Sequence, residues 1–417
     1  MAAVVVAVVG AACSGGGGNT PSQMSAVAPA SSGKLDPVYE NGIKLVYVGE
    51  FDPLDMAVDA NGKVSIGGRF LAQFDVLGRR IVTVGILGSS AEISPVGDEA
   101  GNLFTLGRLD SGGYELIKRD VESRLVAGFG TGGRMPIDMT GFTALTGLSR
   151  DRDGNFYLLG EIRPPNIKGP VTTLMGKLDA NGQRVMGYGN GGVAQLPGIY
   201  RVPEPAVTVD AGGNAYFAAV GDGAGTVLKK LDAQGRLIPD FGLAGDAVVP
   251  CLRPEPLVAS DTSGNVFVAG PCFDPALANS PSAVWKFDAR GNPVMSFGIG
   301  GRAAGFFSPR SESGTELPGA AFALLPNADG SVYVAASSLR DGTCAGGFAI
   351  VKLGADGRAD NSFGVNGVAA VPLRAGRWAA LGTDRSGRVY VLGETPPASG
   401  CPAPRTIPSS FSLFRLA

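Results

Sequence analysis

The chain has 417 residues, of which 65 are glycine and 29 proline, while only 17% are charged. So many turn-forming residues argue against helical bundles and coiled coils, which need long runs of Ala, Glu, Lys and Leu. The formal net charge of −2 offers no basic surface for nucleic acid, and the absence of histidine excludes a Ser-His-Asp triad and His-ligated zinc or haem.

The N-terminus has the order of an export signal. An apolar run, Met1–Ala12, ends at Cys13 and is too short to span a membrane, which needs about 20 residues. Residues 14–39 are rich in Gly, Ser, Pro and Ala, a composition typical of a flexible tether. This order resembles a bacterial lipoprotein signal over residues 1–13, with Cys13 as the lipidated residue. Gly10 departs from that pattern, and a plain secreted protein or an unrelated apolar N-terminus remains open.

Residues 40–417 are dominated by an internal repeat. A motif of Asp or Asn, two residues, Gly and an alternating apolar run occurs seven times, and its copies begin at Asp59, Asp98, Asp151, Asp210, Asp261, Asn327 and Asp384. Asx and Gly supply the positive φ angles of a hairpin turn, and the apolar run after them predicts a strand.

A second motif follows the first in most units. It places a lysine in a strand, then a turn, then an aromatic–Gly pair before another strand, and it starts at Lys118, Lys177, Lys230, Lys286 and Lys352. With the short apolar strand before each Asx turn, every unit contains four strands, here called a, b, c and d. No unit shows a sustained helical period, so helices are not predicted.

Seven units of four antiparallel strands predict an all-β fold, a seven-bladed β-propeller. The chain ends at Phe411–Ala417, which aligns with strand c and leaves its unit without a strand d. Ile43–Gly49 aligns with strand d of the first full unit. We therefore expect this N-terminal strand to complete the last blade and close the ring.

The repeat resembles bacterial propeller families, in particular the delta-sixty type with its KLDxxGxxDxxFGxxG and DxDGxxxVxG elements, and more widely the NHL-like propellers. The resemblance covers roughly residues 43–417, although the first unit lacks the FGxxG element. It implies the fold, and it carries over no catalytic residue because the consensus positions are structural.

Four cysteines remain besides Cys13, an even number that suits an oxidising compartment. The repeat alignment places them on loops at one end of the ring, which favours the pairs Cys251–Cys272 and Cys344–Cys401. Four free thiols are the open alternative.

Several residues invite a site but have a simpler structural interpretation. Asp151, Asp153 and Asn155 resemble a calcium loop, yet most copies keep one carboxylate, so a hairpin turn is favoured and no metal or cofactor is predicted. The strand-c lysines Lys177, Lys230, Lys286 and Lys352 are expected to be solvated or locally paired rather than to form a basic ring. Trp285 is expected in the core, and Trp378 is the better of the two tryptophans for ligand contact.

The b–c and d–a connections vary most in length, and binding residues concentrate on such loops. We therefore place a candidate binding face there, with these weak candidates: Arg163, Phe273, Asp274, Arg310, Glu312, Trp378 and Arg405.

These patterns favour a monomeric, non-catalytic propeller anchored by a lipid at the bacterial cell envelope; the alternative location is that of a secreted or a periplasmic soluble protein. It would bind a protein or glycan partner, with no nucleic acid and no membrane contact beyond the lipid anchor. The alternative is an extracytoplasmic hydrolase or lyase that uses Asp/Glu residues at the channel mouth, because catalytic carboxylates need only about 5–10 Å separation.

Overall fold

The computed structural model describes residues 32–39, 43–48, 55–67, 70–85, 93–98, 100–109, 112–138, 142–163, 172–197, 207–220, 225–250, 256–272, 282–304, 319–338, 347–374, 379–395 and 410–416. Over these ranges the regular structure is strand, with no helix. No described segment therefore has the long apolar helix that would be needed to cross a membrane.

The described strands form seven antiparallel sheets of four strands each. The first strand, β1 (Ile43–Val48), belongs to the last sheet, and each of the other six described sheets consists of four consecutive strands. Blade 1 has β2 (Asp55–Val58), β3 (Val64–Gly67), β4 (Phe70–Phe74) and β5 (Arg80–Gly85). Blade 2 has β6 (Ile93–Gly97), β7 (Leu103–Arg108), β8 (Tyr114–Arg119) and β9 (Arg134–Ile137). Blade 3 has β10 (Ala144–Arg150), β11 (Phe156–Ile162), β12 (Thr172–Leu178) and β13 (Val193–Leu196), and blade 4 has β14 (Val207–Val209), β15 (Ala215–Val220), β16 (Thr226–Leu231) and β17 (Ala247–Val249).

The remaining sheets follow the same order. Blade 5 has β18 (Leu257–Ser260), β19 (Val266–Pro271), β20 (Ser282–Phe287) and β21 (Arg302–Ala304), and blade 6 has β22 (Gly319–Pro326), β23 (Val332–Ser338), β24 (Gly347–Leu353) and β25 (Val368–Arg374). Blade 7 has β26 (Ala379–Thr383), β27 (Val389–Thr395), β28 (Ser410–Leu416) and β1. The first strand of each blade contacts the first strand of the next, and β26 contacts β2, so the blades form a ring.

The a–b turns form as the sequence predicts. In blade 3 the N–H of Gly154 donates to the carbonyl of Asp151 at 3.2 Å, and the N–H of Asp151 donates to the carbonyl of Asn155 at 3.0 Å. Gly154 has a φ of 89°, in the left-handed region that glycine adopts without steric cost.

The hydrophobic core lies between the blades. Each of the seven described apolar clusters joins residues of two neighbouring blades. The cluster between blades 1 and 2 is the smallest described and contains Ala57, Leu71 and Leu103. Because each sheet buries its faces against its neighbours, the ring replaces a single central core, and the prediction of a seven-bladed propeller is confirmed.

The predicted closure is confirmed and begins further upstream than expected. Strand β1 pairs with β28 in antiparallel register, with Ile43 opposite Phe414. Residues 32–39, assigned to the tether on sequence, also join blade 7, since the N–H of Asp36 donates to the carbonyl of Arg415 at 2.9 Å. The carbonyl of Ser32 accepts from the N–H of Gly364 in blade 6 at 2.8 Å. The boundary between tether and propeller therefore lies before Glu40.

Candidate functional site

A cavity of about 180 Å³ opens on the ring axis, where the innermost strands end and the a–b turns begin. We call this end of the ring the turn face, because it carries the a–b turns and the c–d connections. Among the described residues the cavity is lined from six blades, and its charged residues are Asp59, Asp98, Arg150, Asp151, Arg152, Asp210, Asp261, Asp384 and Arg385.

The carboxylates at this cavity hold the hairpins. Oδ1 of Asp210 accepts from the N–H groups of Gly212 and Asn214, both at 2.9 Å. Its Oδ2 accepts from Nδ2 of Asn214 at 2.9 Å and from the hydroxyl of Tyr216 at 3.0 Å. The lone pairs of this acid are therefore used within its own turn, and the buried Asp210 has a structural role.

The residues considered for calcium show the same arrangement. Oδ1 of Asp151 accepts from the N–H of Asn155, and Oδ2 accepts from Nδ2 of Asn155, both at 2.8 Å. The hydroxyl of Tyr157 adds a bond to Oδ2 at 3.1 Å, while Asp153 points to solvent. The favoured hairpin interpretation accounts for Asp151. In the described part of the chain no group of three Asp, Glu, Cys or His side chains is placed to hold a metal.

The tyrosines beneath the turns are held in their neutral form. Burial raises the pKa of Tyr157 and Tyr216 far above the usual range, and the neighbouring aspartates add to the shift. Burial and the charge of Asp384 raise the pKa of Tyr390 to about 12. Each phenol therefore remains a hydrogen-bond donor to its turn rather than a source of protons.

The strand-c lysines lie in the seams between blades. Lys286 is buried, with Nζ 5.0 Å from the ring centroid of Phe267, and it donates to the carbonyl of Gly330 in the next blade at 2.9 Å. Burial lowers the pKa of Lys286. Lys177 is also buried and donates to the carbonyl of Ala233. Both lysines are buried and bond to a carbonyl of the next blade, so the expectation of solvated or locally paired side chains does not hold for these two.

The predicted loop face falls mostly outside the described residues. The candidates and cysteines that lie outside them are Cys13, Cys251, Phe273, Asp274, Arg310, Glu312, Cys344, Trp378, Cys401 and Arg405. Arg163 is described, is exposed and pairs with Glu161. Trp285 is buried between blades 4 and 5, as predicted. Cys272 is buried and disulfide-bonded, and the identity of its partner stays a prediction.

Three exposed aliphatic side chains occupy one repeat position on the turn face. Leu243, Ile299 and Val365 follow the aromatic–Gly pair in blades 4, 5 and 6, with exposures of 81%, 86% and 76%. The same position holds Thr131 in blade 2 and Asn190 in blade 3. We call Leu243, Ile299 and Val365 the apolar row.

The loops that carry the apolar row are joined to neighbouring chain segments by backbone hydrogen bonds. The glycines before Leu243 and Ile299 donate their N–H groups to the c–d turn of the next blade, from Gly242 to the carbonyl of Arg290 and from Gly298 to the carbonyl of Asp356, both at 2.7 Å, and Gly364 donates to the carbonyl of Ser32 at 2.8 Å. Sequence reasoning missed the row because it ranked loops by their variation in length, whereas these loops are uniform. The signal that was available is the aliphatic residue after FG in three consecutive units.

No protein-family model and no curated protein matches this chain. Among solved structures it is similar to an acylaminoacyl peptidase of Pyrococcus horikoshii, with 10% identity, 88% of this chain, 52% of that chain and a TM-score of 0.50. It is also similar to the β-propeller domain of the Trilobed protease of Pyrococcus furiosus, with 9% identity, 88% and 94% coverage and a TM-score of 0.47. A protein of unknown function from Bacteroides caccae has 14% identity, 73% and 95% coverage and a TM-score of 0.41. The chain spans about half the length of the peptidase, and at 10% identity the likeness extends to the β-propeller fold alone.

Proposed function

We propose that this protein is a non-catalytic binding or scaffold module, held at the bacterial cell envelope by a lipid on Cys13. The observation that carries the proposal is the apolar row on the turn face. Single exposed apolar residues are ordinary on protein surfaces, but these three share one repeat position on consecutive blades and therefore lie on the same face of the ring. Burying each aliphatic side chain against a partner contributes roughly 1.5–3 kcal/mol.

The chemistry of the row favours a protein partner over a glycan. Its side chains offer neither hydrogen-bond donors nor aromatic faces, and both of those features suit sugars. An apolar surface on a protein partner is the natural complement, because association removes both surfaces from water.

The state of the carboxylates supports binding rather than hydrolysis. A hydrolase or lyase working through paired acids needs carboxyl groups that are free to exchange protons with a substrate. At the cavity, both carboxylate oxygens of Asp151 and of Asp210 accept hydrogen bonds from residues of the same hairpin. A paired-acid mechanism at these two residues would have to break their turns first.

The partner is tested by affinity capture from the native envelope extract. The full chain and the variant Leu243→Ser, Ile299→Ser, Val365→Ser are compared with Val121→Ser, whose exposed side chain lies on a c–d turn of blade 2. We expect wild type and Val121→Ser to capture the same protein, and the triple variant to lose at least about tenfold of it, equivalent to about 1.4 kcal/mol. Equal recovery by all three would contradict the proposal.

The anchor has its own test. Cys13→Ala is expected to move the protein from the membrane fraction to the soluble fraction, because one thiol carries the proposed lipid. Retention of the variant in the membrane fraction would remove the anchor from the proposal while leaving the binding surface to be judged separately.

A further inference from the structure

Five of the seven seams between blades share one pattern of charge. In each of them a cation from strand c lies over the aromatic ring of strand b and donates to a backbone carbonyl or a carboxylate. Lys230 lies 5.1 Å from the ring centroid of Tyr216 and donates to the carbonyl of Ala289 at 3.0 Å. Lys352 pairs with Asp360 at 2.7 Å. Lys177, Lys286 and Arg415 likewise have acceptors.

The seam between blades 2 and 3 departs from this pattern. Two cations lie against the ring of Phe104, with Nζ of Lys118 at 5.1 Å from its centroid and Cζ of Arg150 at 5.6 Å. Among the described residues neither cation has a hydrogen-bond acceptor or a carboxylate partner. Nε of Arg150 is moreover buried without an acceptor. This seam therefore holds two positive charges without a partner, whereas the five seams described above each hold one strand-c cation that has an acceptor.

Arg150 lies where the repeat predicts the acceptor of Lys118. It is the last residue of β10, a position that carries Val58, Val209, Ser260 and Thr383 in four other blades. Its guanidinium lies beside the turns of blade 3, since a Cβ on Gly154 would be 2.8 Å from Nη2 of Arg150 and 3.2 Å from Cβ of Ala180. The residues equivalent to Ala180 in blades 4 and 5, Ala233 and Ala289, provide the carbonyls that accept from Lys177 and Lys230. Arg150 thus lies next to the residue that Lys118 would be expected to reach.

The nearest turn acids do not neutralise the pair. Oδ1 of Asp98 accepts from the N–H of Asn102, and Oδ2 accepts from its Nδ2, both at 2.8 Å. Asp151 is engaged in the same way within its own turn. Both carboxylates face their hairpins, so they reduce the local positive potential without pairing with either cation.

Two cations without counter-charges beside one aromatic ring are unfavourable, because like charges at a partly desolvated site repel each other. An oxyanion placed between them would relieve that repulsion. The planar fork of a guanidinium matches two oxygens of a phosphate or sulfate group, and an ammonium supplies a further point charge. Arg150 also lines the axial cavity, which gives a ligand a route to the seam.

We propose that the seam between blades 2 and 3 binds a tetrahedral oxyanion, phosphate or sulfate, between Nζ of Lys118 and the guanidinium of Arg150. The anion is either free or the monoester group of a larger ligand. This site goes beyond the proposed function and depends on neither the lipid anchor nor the apolar row.

The test is calorimetric titration of the full chain with inorganic phosphate, sulfate and glycerol phosphate up to about 10 mM, which saturates a site whose Kd is about 1 mM. We expect binding by wild type, and a loss of at least about tenfold in affinity in Lys118→Gln and in Arg150→Val, which installs the residue of blades 1 and 4. Lys230→Gln, in the seam between blades 4 and 5, is the matched control and is expected to bind as wild type does. Tighter binding of glycerol phosphate than of inorganic phosphate would identify the monoester source, and equal binding the free anion.

Two results would overturn the proposal: no binding by wild type, or wild-type affinity in both seam variants. If Arg150→Val does not fold, Arg150→Lys and Lys118→Gln decide the matter. Arg150→Lys keeps the charge but loses the fork, so it is expected to bind with an affinity between wild type and Lys118→Gln.

Discussion

The ion pair that joins the two ends of the described chain offers a direct test of ring closure. Nε and Nη2 of Arg415 donate to Oδ2 of Asp36 at 2.9 and 2.7 Å, although 379 residues separate the two in sequence. Their side chains are only 2% and 11% exposed. The guanidinium also lies 4.6 Å from the ring centroid of Tyr39 and donates to the carbonyl of Val76 in blade 1.

Replacing Asp36 by alanine leaves a buried guanidinium without its counter-charge. Removing one partner of a buried pair costs about 3–5 kcal/mol, because the remaining charge stays desolvated. The bond to Val76 and the stacking on Tyr39 survive, so the lower end of that range applies. We therefore expect Asp36→Ala to reduce the free energy of unfolding by about 3 kcal/mol, roughly a hundredfold in the equilibrium constant.

The measurement is urea denaturation followed by tryptophan fluorescence and far-UV circular dichroism, with Arg358→Ala as the control. Arg358 pairs with Asp356 at 3.8 Å, but the two side chains are 87% and 58% exposed, and such surface pairs contribute about 0–1 kcal/mol. If Asp36→Ala changed stability no more than the control does, the pair would not be holding the ring closed. Arg415→Lys, which installs the residue of blades 2 to 6, is expected to have a stability between those of wild type and Asp36→Ala.

Two further predictions concern the c–d connections. A Cβ on Gly298 (φ +60°) would lie 2.0 Å from the carbonyl oxygen of Arg302, whereas a Cβ on Gly300 (φ +64°) would have no neighbour within 3.9 Å. Gly300→Ala should therefore cost only the left-handed penalty of about 1–2 kcal/mol, and Gly298→Ala should cost well over that amount. Equal losses of stability in thermal denaturation would contradict this. The hydrogen bond from Lys352 lowers the pKa of Asp360 to about 2, so this carboxylate stabilises the fold above pH 4 and loses that effect as pH falls from about 4 to about 2. The stability difference between wild type and Asp360→Asn should shrink across that window, and a constant difference would show that the ion pair contributes nothing.

The fold was predictable because its turns need particular residues. An Asx-x-x-Gly turn requires positive φ at the glycine, and Gly154 and its equivalents have it. Seven such turns, each followed by an apolar run, leave little choice but seven hairpins. The sequence of β1 aligns with strand d of the first full unit, and the register of β1 with β28 confirms that this strand completes the last sheet.

The upstream part of the closure was missed although its signal is present. Gly33, Leu35 and Tyr39 have the spacing of Gly235, Leu237 and Phe241 in the c–d connection of blade 4. The segment before them is so rich in Gly and Ser that composition dominated the interpretation. Tyr39 is nonetheless fully buried against Tyr390, at a centroid distance of 5.9 Å, which is the same aromatic contact that other blades make.

The axial cavity was beyond sequence reasoning for a different reason. It arises from the ring itself, where the ends of the first strands meet, and no linear motif encodes that meeting. The side chain at the end of strand a matters there, and only the repeat alignment combined with the structure shows that Arg150 occupies a position that is neutral elsewhere.

A repeat protein supplies its own controls, and two seams depart from its internal consensus. Between blades 1 and 2, Gln73 replaces the strand-c lysine and Ser65 the strand-b aromatic. The substituted side chains there bond to each other and to Ser123: Nε2 of Gln73 donates to Ser65 at 2.8 Å, and the hydroxyl of Ser123 donates to Gln73. Between blades 2 and 3, Arg150 adds a positive charge, and the described residues provide no acceptor for it. A substitution whose polar groups are all hydrogen-bonded is explained by the fold, whereas one that leaves a buried donor without an acceptor needs a partner from outside the fold. For this reason the seam between blades 2 and 3 points to a ligand, and the seam between blades 1 and 2 does not.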